Sequence, residues 1–305
     1  MNLVGAFFRL VRWPNLVFIA LTQVLFYFCI YMPLYEQPQT PKFLLLVLAS
    51  VFIAAAGYII NDYFDLNIDR VNKPEKNVVD RIIHRRWAII WHLALSFFGV
   101  LLTALAVGLH YWYLIIANLI CVALLWFYST SFKRQLLIGN IVISLLTAWT
   151  ILVFFFALSN PLDAFNTSNE ISVKFFRLAF LYAGFAFIIS LVREAVKDME
   201  DLEGDARYGC RTLPIVAGIR TTKIYAGTWM AVLIATLAIL QAYVLQFGWW
   251  PSVLYATMLV IVPLITSLKK LKNANSTKDF AQLSSTTKWI MLTGILSMFF
   301  FLFYF

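Results

Sequence analysis

The sequence predicts an all-α polytopic membrane protein. Nine transmembrane helices surround a central cavity, with the N-terminus inside and the C-terminus outside. Three observations carry this prediction. Of 305 residues, 62% are hydrophobic and only 13% charged, against about 25% charged in an ordinary soluble chain. Nine segments are each long and apolar enough to approach the roughly 20 residues that a spanning helix needs. The basic residues also fall almost entirely on one side of those segments. Too little polar surface remains for a soluble fold. Intrinsic disorder, nucleic-acid binding and a disulfide-stapled secreted fold are excluded with it. The net charge of +9 fits basic loops facing anionic lipid headgroups.

The first segment, 15–35, follows Arg9 and Arg12. It is too long for a signal-peptide core and lacks a small-x-small cleavage site, so it reads as a retained span. Segment 43–60 runs into the polar stretch 61–87. Segments 88–108 and 112–128 follow, the latter being the shortest. Lys133 and Arg134 then precede segment 136–158. Segment 174–192 leads into a second polar stretch, 193–223, and segments 224–246, 250–268 and 287–305 follow. Exposed loops or strands cannot cross lipid, so all nine are helices. No soluble domain is left over, and the chain reads as one transmembrane domain, 1–305. With the N-terminus inside, 21 of the 24 Lys and Arg residues face inward. Only Lys42, Lys174 and Arg177 face outward. One span more or fewer would scramble this asymmetry.

The acidic residues are concentrated too. Asp62, Asp65, Asp69, Glu75 and Asp80 lie in one window; Glu194, Asp198, Glu200, Asp201, Glu203 and Asp205 lie in another. These are 11 of the 15 acids. Each window follows a span that runs from outside to inside, so both are expected on the cytoplasmic face. On a continuous helix, Asn61, Asp65 and Asp69 would share one face, as would Asp198, Asp201 and Asp205. Like charges on one stripe repel, and a cation would relieve them. An all-oxygen donor set suits a hard divalent ion such as Mg²⁺, commonly shared with substrate phosphates. Interleaved Arg70, Lys73, Lys76, Arg193, Lys197, Arg207 and Arg211 suit a diphosphate. Cys29, Cys121 and Cys210 have neither CxxC nor metal-ligand spacing, and Cys29 and Cys121 read as packing residues. His84, His92 and His110 have no second His at ligand spacing and read as interfacial or surface residues.

These residues resemble the UbiA superfamily of intramembrane prenyltransferases. Its NDxxDxxxD motif is matched by Asn61, Asp62, Asp65 and Asp69. Its DxxxD motif is matched by Asp201 and Asp205, with Asp198 one turn earlier. Arg12-Trp13-Pro14-Asn15, Tyr128-Ser129, Lys133-Arg134 and Gly139-Asn140 fit as well. The resemblance implies two Mg²⁺ ions, a polyprenyl diphosphate donor, a hydrophobic or amphipathic acceptor and surrounding membrane lipids. It implies Asn61, Asp62, Asp65, Asp201 and Asp205 as metal ligands. Asp65, Asp69, Asp198 and Lys133 are the implied catalytic residues. Lys133, Arg134, Arg193 and Lys197 would contact the diphosphate, and Arg12, Asn15, Tyr128 and Asn140 the substrate.

The loop Asn72–Arg81 departs from the family pattern: Lys73 stands before Pro74 where Arg is common, and the Gly is missing. Within the superfamily the pattern looks most like bacterial members grouped with geranylgeranylglycerol-phosphate geranylgeranyltransferases. That implies a bacterial inner membrane with the site facing the cytoplasm. The alternative acceptor is an aromatic quinone precursor of the 4-hydroxybenzoate or dihydroxynaphthoate type. Six basic residues in 70–86 favour a phosphate-bearing acceptor. A transporter is the competing class, but transporters place ionisable groups near the midplane, whereas these acids sit at span ends. Nine spans exclude a soluble prenyl diphosphate synthase.

Overall fold

The computed structural model describes residues 3–72, 79, 82–165 and 169–305. Among the described residues the chain is helical with no strand, save one isolated bridge between Val79 and Ile83. A short helix α1 (Leu3–Leu10) precedes the first span. The spans are α2 (Trp13–Tyr35), α3 (Thr40–Phe64), α5 (Arg85–Val107), α6 (Leu109–Thr130), α7 (Ile138–Leu158), α8 (Glu170–Glu200), α11 (Gly218–Leu245), α12 (Trp250–Asn273) and α13 (Thr277–Tyr304). Short helices α4 (Leu66–Asn72), α9 (Leu202–Arg207) and α10 (Leu213–Val216) lie between them. The predicted nine spans are therefore present among the described residues.

The helices outrun the apolar windows that announced them. Hydropathy marks where lipid ends, whereas a helix ends where its backbone bonds do. Thus α8 continues past 192 to Glu200, and α13 begins at Thr277 rather than 287. Its start is fixed by a capping box: Ser276 Oγ accepts from the Asp279 amide, and Asp279 accepts from the Ser276 amide.

Contacts divide the chain into two compact units. The first comprises residues 1–133 and 149–180. At one end of it Ala6, Leu10 and Val11 pack against Ala55, Ile59, Leu66, Ile83 and Ala88. This seats α1 against α3 and α5. Its other face, Leu3, Val4 and Phe8, is exposed, as suits an interfacial helix. The approach of α3 to its neighbours depends on glycine. A Cβ at Gly57 would lie 2.8 Å from Leu125, and one at Gly99 2.7 Å from Ile53.

A tyrosine ladder ties the opposite end. Tyr27, Tyr31 and Tyr35 stack at successive turns. The Tyr27 hydroxyl accepts from the Gln39 amide, and the Tyr31 hydroxyl from Gln39 Nε2. Lys42 donates to the Ala157 carbonyl and lies over the Tyr111 ring. That carbonyl sits near the negative end of α7, where a cation is favoured.

The second unit comprises residues 134–148 and 181–305. Its core joins Val192, Ala195, Val196 and Met199 of α8 to Ala226, Met230, Leu271, Phe280 and Leu283 of α11, α12 and α13.

Both units carry a π-turn just before a proline: Phe26–Tyr31 before Pro33, and Thr257–Ile261 before Pro263. Proline lacks the N–H and crowds the carbonyl four residues back. Widening the helix there relieves the crowding. The carbonyl freed before Pro263 belongs to Leu259, and Thr293 Oγ1 donates to it at 2.8 Å.

Candidate functional site

The first carboxylate group is built where α3 ends. The continuous helical stripe expected for Asn61, Asp65 and Asp69 is not what forms. The helix breaks at Asp65, whose φ and ψ are −84° and −1°. Its amide closes the last turn on the Asn61 carbonyl at 2.9 Å. Asn61 and Asp62 therefore stand on the last turn of α3, Asp65 at the corner, and Asp69 on α4. The side chain of Asp69 lies outside the described residues, as do Lys73, Glu75, Lys76 and Asp80.

Arg12 and Lys133 reach these acids. Arg12 Nη2 contacts Asp62 Oδ1 at 2.6 Å. Arg12 has a left-handed backbone, φ 51° and ψ 52°, which turns the chain between α1 and α2. Its guanidinium also lies 5.3 Å from the centre of the Tyr58 ring. Lys133, just past α6, donates to Asp65 Oδ1 and, at 3.4 Å, to Asn61 Oδ1. Asn61 Nδ2 in turn donates to Asp65 Oδ2 at 2.8 Å. The expected Arg12, Asn61, Asp62, Asp65 and Lys133 are thus brought together in the first unit. Asn15, held by a 2.8 Å bond from its amide to the Arg12 carbonyl, lies one turn into α2. Tyr128 is half-buried near the end of α6.

The second group, in the second unit, uses the same backbone device. Asp198 lies on the last turn of α8. Asp201 forms the corner with φ −93° and ψ 8°, and Asp205 lies on α9. The Asp201 amide closes on the Lys197 carbonyl at 2.9 Å. Here too the expected single stripe is interrupted. Sequence spacing alone cannot reveal this, since i, i+3, i+7 patterns suit a continuous helix equally well. Asp198 Oδ2 accepts from Asn140 Nδ2 at 2.9 Å. Arg193 Nη1 contacts Glu194 Oε1 at 2.8 Å. Arg134 is exposed, and its carbonyl accepts from the Arg211 amide at 2.7 Å.

Two features were missed. Glu194 is buried, one turn before Asp198 on α8. Its i, i+4 spacing to Asp198 is the signal that could have marked it. His92, expected at the surface or interface, is 97% buried, being 3% exposed. It lies 3.0 Å through Nδ1 from the Ala56 carbonyl of α3. Sequence could not foresee this, because an apolar window shows no partner for a histidine. Cys29 and Cys121 are buried, as a packing role requires.

The donors present are oxygens of Asn, Asp and Glu, a set that suits a hard divalent cation. Among the described residues, no three His, Cys, Asp or Glu side chains form a ready metal cage. Mg²⁺ is commonly held by one or two carboxylates, with substrate phosphates and water completing its coordination. Lys133 and Arg12 lie against these acids and balance part of their charge.

Known proteins share this arrangement of sequence and fold. A digeranylgeranylglyceryl phosphate synthase of Methanoculleus marisnigri is 29% identical over 292 residues, spanning 96% of this chain and 95% of that protein. Its counterpart from Methanothermobacter thermautotrophicus is 34% identical over 221 residues, spanning 70% and 69%. The fold resembles that of a UbiA homolog from Archaeoglobus fulgidus solved with GPP and Mg²⁺. There the TM-score is 0.61 at 18% identity, over 96% of this chain and 99% of that one. Residues 20–303 match the UbiA prenyltransferase family. The choice between enzyme and transporter is thereby resolved: the chain belongs to the UbiA prenyltransferase family and is an integral-membrane prenyltransferase.

Proposed function

We propose that this enzyme transfers a geranylgeranyl group from its diphosphate to a phosphate-bearing lipid acceptor such as geranylgeranylglyceryl phosphate, with Mg²⁺. The observation that carries this reading is the near full-length likeness to the Methanoculleus marisnigri synthase, joined to carboxylates with cations at hand. Asn61, Asp62, Asp65, Asp201 and Asp205 would hold Mg²⁺, two ions in all. Bound there, the metal would neutralise the diphosphate and ease its departure.

The chain's own residues supply the rest. Lys133 holds the diphosphate, with Arg134, Arg193 and Lys197 as further contacts. These charges count most as the allylic C–O bond breaks, when negative charge grows on the leaving group and the allylic carbon becomes cation-like. The acceptor hydroxyl oxygen then forms the new bond to that carbon as its O–H bond breaks, the proton leaving to the departing diphosphate or to water. Asp69 and Asp198 complete the acidic groups. Arg12, Asn15, Tyr128 and Asn140 position substrate. The whole chain acts as one catalytic domain.

The basic asymmetry supports an N-in, C-out orientation and a site facing the cytoplasm. We place the enzyme in the cytoplasmic membrane. The expectation of a bacterial host rested on loop pattern alone, and the relatives named above are archaeal.

The test uses purified protein in detergent with Mg²⁺, labelled geranylgeranyl diphosphate and a panel of acceptors. Label should move to geranylgeranylglyceryl phosphate. Transfer only to 4-hydroxybenzoate or dihydroxynaphthoate would overturn the acceptor assignment.

A further inference from the structure

Within the second unit, the seam between α7 and α8 carries polar side chains at regular intervals. Asn140 Nδ2 donates to Asp198 Oδ2 at 2.9 Å, and the Thr147 and Ser190 hydroxyls meet at 3.4 Å. Seven residues along α7 thus match eight back along α8, the register of two antiparallel helices. That register sets Glu194 midway between the two contacts, opposite Ser144. Ser144 is fully buried, and its hydroxyl donates to the Asn140 carbonyl of its own helix at 2.7 Å. Glu194 is also buried, one turn further into the span than Asp198. A carboxylate there needs a cation, because desolvation penalises an unpaired charge.

Arg193 supplies that cation, in a way that helix geometry does not favour. Residues i and i+1 point about 100° apart around a helix and do not face each other. For Nη1 to reach Glu194 Oε1 at 2.8 Å, the Arg193 side chain folds back across its own helix. This fixes the guanidinium and leaves a donor over. The Arg193 Nε–H is buried and has no acceptor among the described residues. A buried donor without an acceptor is costly and calls for an explanation. Phosphate oxygens are among the strongest acceptors for a guanidinium. Arg193 stands five residues before Asp198, on the helix that ends in the second acidic corner.

We propose that Glu194 is a positioning residue, whose carboxylate holds Arg193 through Nη1 so that Nε–H donates to the diphosphate of the prenyl donor. This rests on the reading of Arg193 as a diphosphate contact. The competing account is a pair that only stabilises the seam between α7 and α8.

The experiment measures binding of geranylgeranyl diphosphate with Mg²⁺ to the full chain in detergent, without acceptor. Glu194→Gln removes the charge that holds the guanidinium. It should raise the donor Kd about tenfold, the scale of one charge-assisted hydrogen bond. Arg193→Lys keeps a cation for Glu194 but has no Nε–H. Its Tm without ligand should stay near that of the unaltered protein, and its donor Kd should still rise about tenfold. In the double variant the loss should not exceed that of Arg193→Lys alone, because Glu194 acts through Arg193. A donor Kd that is unchanged or lower in either single variant would overturn the proposal. Additive losses in the double variant would do so too. If Glu194→Gln does not fold, Glu194→Asp, one methylene shorter, is measured against the same criterion.

Failure of the proposed function reads differently. Unaltered protein that binds the donor but moves no label to geranylgeranylglyceryl phosphate would fail the acceptor assignment, while the donor Kd values still decide the role of Glu194. Unaltered protein that does not bind the donor would overturn both.

Discussion

The corner at Asp65 and the corner at Asp201 are built alike but charged differently. Both follow the pattern D-x-x-D-L-x-x-D, over 62–69 and 198–205. Both end a long span, turn with ψ near zero and continue as a short helix. Around the first corner, cations from remote parts of the chain meet the acids: Arg12 at Asp62 and Lys133 at Asp65. At the second, Asp198 takes a neutral partner, the Asn140 amide, and the nearby Arg193 is engaged with Glu194. One backbone device thus serves two electrostatic settings. The first arrives with its charge partly compensated. The second gives Asp198 the Asn140 amide as its hydrogen-bond donor, with Lys197 and the acids Glu194 and Asp205 close by.

The largest expected effect ignores that difference. Asp65→Asn and Asp201→Asn should each cut turnover by at least about a hundredfold, on the scale of losing an electrostatic catalytic group. Asn keeps the size of the side chain, so membrane expression should hold. Turnover at matched expression checks this. Normal activity in either variant would break the equivalence of the two corners.

Lys133→Ala should come next. A diphosphate contact predicts a KM for the donor raised, a kcat lowered, or both, by about tenfold. Lys270→Ala, on α12, is the comparison and should stay near the unaltered values. Equal, near-normal kinetics in the two variants would remove Lys133 from the site.

The smaller effects concern stability and sharpen the contrast directly. Asn140→Ala leaves the largely buried Asp198 carboxyl without its donor and should cost about 1–3 kcal/mol, as for a buried acceptor left unsatisfied. Arg12→Ala breaks a pair whose side chains are 34% and 19% exposed. Solvent screens it, so the loss should be about 0.5–1 kcal/mol. Tm measurements on the two purified variants rank them. A greater loss at Arg12 would mean that the first corner depends on its ion pair for folding.

Much of this was legible in the sequence, for physical reasons. Spans are set by hydropathy over some 20 residues, so nine apolar windows give nine helices. The family resemblance marked Lys133 as a diphosphate contact and Asn140 as a substrate contact; that they pair with Asp65 and Asp198 was not legible, because those partners are remote in the chain. The breaks at Asp65 and Asp201 were not legible, since a carboxylate spacing of three or four fits a straight helix. The burial of His92 escaped as well: its partner is a backbone carbonyl, which no side-chain pattern announces. Pro33 and Pro263 did carry a signal, but proline marks a disturbance without saying that the helix widens to absorb it.

The central claim is that both acidic corners serve a divalent metal and a prenyl diphosphate. Its most direct test is the metal dependence of turnover in detergent, with labelled geranylgeranyl diphosphate and acceptor at saturation. Full chelation with EDTA should abolish transfer. Excess Mg²⁺ should restore it, and Zn²⁺ should not, because the donors are oxygens without paired His or Cys. Transfer that survives complete chelation would contradict the account.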